Sequence, residues 1–191
     1  MAGKIQQEQK LSTKSRKPLE RYLSKLIFWS ENGIRTEGKR CVRMRKFYEV
    51  DEKFRKYPQI ETKLPTRATL GSAGYDFYSK CSVTVNPGEV VKIWTDVKVE
   101  MNPDEVLLLV VRSSMGGKFM MSNTVGVIDS DYFSNPSNDG NIGILLKNIS
   151  AEKQWIHSGD RVGQGIFVKY LMAENGNLDC ERTGGFGSTA K

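Results

Sequence analysis

Histidine is nearly missing from this chain of 191 residues: there is one, His157, in a polar stretch after Trp155 and Ile156. No cysteine, histidine or carboxylate cluster surrounds it, so it reads as a solvated loop residue and not as a metal ligand or proton shuttle. Cysteine is scarce as well. Cys41, Cys81 and Cys180 are odd in number and have no CxxC spacing, which argues against a disulfide framework and a zinc site and suits a reducing cytoplasm. No apolar run approaches the ~18 residues of a membrane span. Beyond Ile27 there is also little helical periodicity, so no convincing helix is expected in most of the chain.

The charge that is present is unevenly placed. Of the 29 Lys and Arg and 22 Asp and Glu, residues 1–43 hold 11 and 4, so residues 44–191 hold 18 of each and are neutral overall. A net charge of +7 would ordinarily suggest a polyanionic partner. Here the body of the protein carries none of that excess, and any basic pocket in it must be built locally.

Residues 1–17 are rich in Gln, Lys and Ser with almost nothing to bury, and disorder is the expectation. Over 18–29 the pattern changes: Pro18 suits a first helical position, Leu19, Tyr22, Leu23, Leu26 and Ile27 fall at helical spacing, and Asn32-Gly33 is a stop signal. Such a helix either packs on the body or offers a basic amphipathic face to a partner. The extension as a whole has two explanations. It is a genuine basic appendage, or the reading frame is assigned too early and Met44 is the natural first residue.

From Met44 the period is two. Arg45 to Val50 starts a strand, Cys81 to Val85 is a short one, and Asn86-Pro87-Gly88 is a turn. Val91, Ile93, Thr95, Val97 and Val99 alternate with polar residues and predict one long two-faced strand. Val106 to Val111 is an unbroken apolar run, read as a central strand buried on both faces. Asn141 to Lys147, Trp155 to His157 and Val162 to Leu171 complete the set. Many short strands separated by turn-rich stretches predict an all-β sandwich or barrel over residues 44–191.

Five segments combine glycine or small residues with isolated polar groups at expected strand ends, where a β scaffold exposes them to a ligand. They are Ala73-Gly74-Tyr75-Asp76-Phe77-Tyr78-Ser79; Arg112-Ser113-Ser114-Met115-Gly116; Asn123 through Gly126-Val127-Ile128-Asp129-Ser130-Asp131-Tyr132; Gly159-Asp160-Arg161-Val162-Gly163-Gln164; and the tail over 182–191. Arg112 brings a guanidinium fork and two neighbouring hydroxyls to the end of the apolar strand, a suitable grip on phosphates. Gln164 is an amide in an otherwise small and apolar strand and needs partners, from a ligand or from the backbone. Asn123 can both donate and accept at the edge of a pyrimidine. Asp129-Ser130-Asp131 taken alone reads as a solvated turn. In the tail, Arg182, Phe186, Gly187, Ser188 and Thr189 form either a flexible polar end or a flap, whose N–H groups and hydroxyls meet phosphate and whose aromatic side chain lies flat on a planar ring.

In order and content these five segments resemble the trimeric dUTP diphosphatase (dUTPase) family. The resemblance implies a jelly-roll-like fold, a homotrimer with shared sites closed by a neighbour's tail, and hydrolysis of dUTP to dUMP and pyrophosphate. That reaction would limit uracil in DNA and supply dUMP for thymidylate synthesis. It implies Asp129 as the general base, Arg112, Ser113, Ser114 and Gln164 on the phosphates, Asn123 with the backbone of Gly126 and Val127 on uracil, and Tyr132 beneath the deoxyribose. Arg182, Phe186, Gly187, Ser188 and Thr189 would close the site. Mg²⁺ would travel mainly on the triphosphate, and Asp76 either acts on it through water or is structural. Neither a stable nucleic-acid partner nor a membrane partner is expected.

Some details depart from the commoner family pattern. Arg182 stands four residues before Phe186, one closer than usual, Ala190 replaces a frequent glycine, and no proline precedes Arg112. Residues Phe133 to Gly140 lengthen the loop after Tyr132, as in a subset of the family. Two rivals stand beside this reading. The dCTP deaminases share the fold but need a glutamate on the next strand, where this chain has Leu145. A regulatory or nucleic-acid-binding protein would instead use the basic arm as its working part.

Overall fold

The alternation between Val91 and Val99 is cut in two at Asp96. In the computed structural model, which describes residues 45–173 and two short strands before them, β1 (Arg35–Glu37) and β2 (Arg40–Val42), Asp96 has φ +55° and is fully buried. One strand, Val90–Trp94, therefore ends before it, and another, Val97–Glu100, leaves in a new direction toward a different partner. The period-two pattern survives the corner, so sequence alone sees one strand where there are two.

The chain divides into two units, residues 1–44 and 45–191. In the first, β1 and β2 form an antiparallel ladder with Arg35 opposite Val42. The helix expected over 18–29 lies outside the described residues. The second unit carries β3 (Lys46–Glu49), β4 (Thr66–Arg67), β5 (Tyr75–Tyr78), β6 (Val83–Val85), β7 (Val90–Trp94), β8 (Val97–Glu100) and β9 (Glu105–Val110). It continues with β10 (Phe119–Met121), β11 (Gly126–Asp129), β12 (Gly143–Asn148), β13 (Gln154–Ile156) and β14 (Arg161–Lys169). Helical turns among the described residues are short 3₁₀ pieces at Glu52–Phe54, Ser113–Met115 and Ser130–Tyr132. None of the described helices is long and apolar enough to cross a membrane.

Five strands pair in the order β11-β9-β14-β5-β4, three in the order β10-β12-β7, and β13-β6 and β3-β8 form two-stranded ladders. Every ladder is antiparallel, and neighbours distant in sequence, such as β9 and β14, mark the crossovers of an all-β jelly-roll-like sandwich. Phe77, Leu107 and Leu109 from the five-stranded sheet meet Ile93, Ile144 and Leu146 from the three-stranded sheet in one core. Burying such side chains contributes about 1.5–3 kcal/mol each.

β9 is central, as its apolar run predicts, but its two faces differ. Leu107 and Leu109 point into the core, whereas Leu108 and Val110 are only half-buried. Ile166 on β14 and Val127 on β11 lie opposite Leu108, and Val127 is 57% exposed. The described residues thus leave one face of the five-stranded sheet both apolar and accessible.

Candidate active site

β9 delivers Arg112 two residues beyond its end. There the residue keeps extended dihedrals and caps the turn Ser113–Met115, which is closed by Met115 N–H donating to Arg112 C=O at 2.9 Å. The apolar strand thus stops, and a guanidinium with two exposed serine side chains takes its place. Arg112 donates through Nε to Oδ1 of Asp76 at 2.8 Å and through Nη1 to Oγ of Ser114 at 3.2 Å.

Asp76, the second residue of β5, is buried, and its Oδ2 faces Nη1 of Arg161 at 3.5 Å. Burying a carboxylate is costly unless cations compensate it, and two guanidinium groups do so here. Gln164 on β14 stands opposite both Asp76 and Val110, so it shares a row of the sheet with Asp76 and lies two residues short of Arg112 along β9. A Cβ on Gly74 would collide with Oε1 of Gln164, so the glycine provides the space in which the amide lies. Beside this row, Arg112, Ser114, Lys118, Trp155 and Arg161 line a cleft of about 310 Å³.

The nucleoside-reading candidates sit elsewhere. Asn123 is exposed on the turn between β10 and β11, where Thr124 N–H donates to Met121 C=O at 3.0 Å. This segment looks like a hairpin in the sequence, but its flanking strands do not pair with each other. β10 pairs with β12 and β11 with β9, so the turn carries the chain from one sheet to the other. Gly126 is buried and Val127 exposed.

Asp129 ends β11, exposed, in register with Val106. From Val106 to Arg112 is roughly six residues of extended chain, or about 20 Å at ~3.3 Å per residue. The backbones of Asp129 and Arg112 thus stand about 20 Å apart in one chain. Tyr132 follows in a 3₁₀ turn with its ring in the core and 6% of its surface exposed, and its hydroxyl donates to Asn141 C=O at 2.9 Å.

Arg182, Phe186, Gly187, Ser188 and Thr189 lie outside the described residues. The sequence motifs assign no role to Arg161, the second partner of Asp76. The signal that points to it is its place at the start of β14, just after the Gly159-Asp160 turn and three residues before Gln164. Away from the site, burial pushes the Asp96 carboxyl up. The opposing N–H groups of Lys56 and Tyr57, the amide of Asn141 and the ammonium of Lys80 outweigh burial and hold it below its ordinary value.

Among the described residues no three His, Cys, Asp or Glu side chains gather to hold a metal. Both oxygens of Asp76 already face guanidinium groups. This donor set fits an ion carried on the phosphates and reached through water, and does not fit a protein cage.

The dUTPase family's sequence profile matches residues 61–190. Deoxyuridine 5'-triphosphate nucleotidohydrolase of Lactococcus lactis is 42% identical over 139 residues, 70% of this chain and 92% of that protein. Among solved structures, a dUTPase from Streptococcus mutans superposes with a TM-score of 0.59 at 34% identity, covering 68% of this chain and 98% of that one. A dUTPase from phage phi11 of S. aureus, described with a structural Mg(II) ion, shares the fold with a TM-score of 0.53 at 23% identity, over 72% of this chain and 97% of that one.

Proposed function

The chain belongs to the dUTPase family and hydrolyses dUTP to dUMP and pyrophosphate; we propose that it does so by in-line attack of an Asp129-activated water on the α-phosphorus. Asp129 takes a proton from the water, the new P–O bond forms at the α-phosphorus, and the bond to the bridging oxygen breaks to release pyrophosphate. Arg112, Ser113, Ser114 and Gln164 hold the phosphate chain. Asn123 and the backbone of Gly126 and Val127 read the uracil edge, and Tyr132 backs the deoxyribose. Arg182, Phe186, Gly187, Ser188 and Thr189 close over the bound nucleotide. When bound on the triphosphate, Mg²⁺ would supply charge neutralisation, and Asp76, already paired with Arg112 and Arg161, would reach it only through water.

The observation that carries the reading is the cluster of Arg112 with Asp76, and of Gln164 opposite Asp76, just where β9 ends, in a chain that matches the family over 61–190. A second observation supports a site shared between copies of the chain, the arrangement expected of a homotrimer. Asp129 and Arg112 are about 20 Å apart in one chain, so a complete site needs one residue from each of two copies. The accessible apolar face around Val127, Leu108 and Ile166 offers a surface on which such copies can meet.

The division into a basic extension over 1–43 and a catalytic unit over 44–191 belongs to the same proposal, as does a cytoplasmic location consistent with the three unclustered cysteines. Deamination of dCTP is not favoured, since β12 carries Leu145 and no carboxylate. Nothing favours the basic arm as the working part. Pyrophosphate release from dUTP, dCTP, UTP and dTTP, with and without Mg²⁺, tests the reading. It stands on selective release from dUTP and falls if dCTP or UTP is used as readily.

A further inference from the structure

The loop from Phe133 to Gly140 buries more polar groups than a connection needs. Asn135, Asp139 and Asn141 are 3%, 5% and 0% exposed, although residues of these types belong mostly at the surface. The loop and the residue after it also hold one side chain, that of Tyr132. Asn138 Nδ2 donates to the hydroxyl of Tyr132 at 2.7 Å, and that hydroxyl donates onward to Asn141 C=O at 2.9 Å.

Asn138 is itself fixed, because its Oδ1 accepts from Asn135 Nδ2 at 2.8 Å and from Gly140 N–H at 3.1 Å. Asn135 also donates to Tyr132 C=O at 3.2 Å, so the loop grips this tyrosine at both its backbone and its hydroxyl. Gly140 makes the wrap possible: it has φ +78°, and a Cβ there would stand 2.6 Å from Tyr132 C=O. Asp139 ties the loop to β8 and to the segment before the first 3₁₀ turn, accepting from Lys98 Nζ at 2.6 Å and from Asp51 N–H at 2.8 Å.

We propose that this loop sets the sugar specificity of the enzyme, with Asn138 as the positioning residue that holds the Tyr132 ring against a ribose 2′-hydroxyl. The proposal rests on the reading above that Tyr132 backs the deoxyribose. An apolar wall rejects an added hydroxyl weakly, by a factor on the order of 10², and only while it does not yield. A ring held by core packing alone can tilt about its Cβ. A ring also pinned at its far end by two hydrogen bonds cannot tilt without breaking them.

The test compares kcat/KM for UTP with kcat/KM for dUTP in the full chain, in Asn138→Ala, in Tyr132→Phe and in the double variant. In Asn138→Ala the UTP to dUTP ratio should rise about tenfold, mainly through a lower KM for UTP, while kcat for dUTP stays close to that of the full chain. Tyr132→Phe, which loses both bonds at the hydroxyl, should shift the ratio at least as far, and adding Asn138→Ala to it should add nothing, since the effect runs through the hydroxyl.

A purely structural loop would lower the thermal midpoint and depress both substrates in parallel, leaving the ratio unchanged, and that outcome overturns the proposal. A full Asn138→Ala effect in the Tyr132→Phe background overturns it too. If Asn138→Ala does not fold, Tyr132→Phe removes that bond together with the one to Asn141 C=O while leaving the ring intact, and an unchanged ratio there is equally decisive. If the unaltered enzyme uses dUTP and UTP alike, the Tyr132 reading fails and this proposal with it. If it discriminates and the variants do too, this proposal alone fails.

Discussion

Arg112 reaches across to Asp76: one follows the end of β9 and the other lies on β5, the two neighbours of β14, and their side chains meet at 2.8 Å, Nε to Oδ1. Two strand spacings are about 10 Å, a span that suits an extended arginine. The planar fork also supplies a second donor to Ser114. Arg112→Lys offers one compact ammonium in place of that fork and cannot reproduce both bonds in fixed geometry. Its kcat/KM for dUTP should fall by about tenfold or more, chiefly in KM, in steady-state pyrophosphate release. An unchanged KM would show that the fork is not used on the phosphates.

Asp129→Asn should keep nucleotide binding and lower turnover by roughly 10²-fold or more, because an amide cannot accept the proton from the attacking water. Binding of a non-hydrolysable dUTP analogue by calorimetry and turnover by pyrophosphate release separate the two effects. Wild-type turnover would remove Asp129 from the role of general base.

Gly74→Ala places a methyl where the Gln164 amide lies. The side chain must then rotate away from the row it shares with Asp76, and analogue affinity should drop by about tenfold while the thermal midpoint changes little. In a Gln164→Ala background the same substitution should cost much less affinity. Equal losses in the two backgrounds would mean that Gly74 acts through something other than Gln164.

Asp96 makes a pH prediction. Its carboxylate accepts the N–H groups of Lys56 and Tyr57 at 2.8 and 2.9 Å and the Asn141 amide at 2.9 Å, and it pairs with Lys80 at 3.1 Å. The folded pKa lies below the ordinary 3.8, so below that value the unfolded chain binds the proton more readily. The stability this group contributes is fully present above the unfolded pKa and is lost as pH falls through the folded one. Thermal midpoints should decline below about pH 4, and Asp96→Asn should remove part of that slope. At neutral pH the variant leaves Lys80, 3% exposed, without its counter-ion, a loss of about 3–5 kcal/mol. An unaltered acid slope would show that other carboxylates dominate it.

How far the sequence reaches differs from residue to residue. Short alternating runs, the Asn86-Pro87-Gly88 turn and the Gly-flanked polar clusters are local properties, set by side-chain period and backbone dihedrals. The all-β class, strands β3, β6, β9, β12, β13 and β14, and the segments holding Arg112, Asn123, Asp129 and Gln164 are therefore legible in the sequence by itself.

The corner at Asp96 is not, because a buried acid with φ +55° leaves the alternation intact, and only its bonds to Lys56, Tyr57, Lys80 and Asn141 explain why the chain turns there. Neither is the parting of β10 and β11 into different sheets, the second cation on Asp76, or the hold of Asn138 on Tyr132. The distance between Asp129 and Arg112 likewise emerges only once β11 is laid along β9 in register. Each of these depends on which strands and loops become neighbours. Pairing is chosen by the collective burial of residues that lie far apart along the chain, and single-chain periodicity carries no record of it.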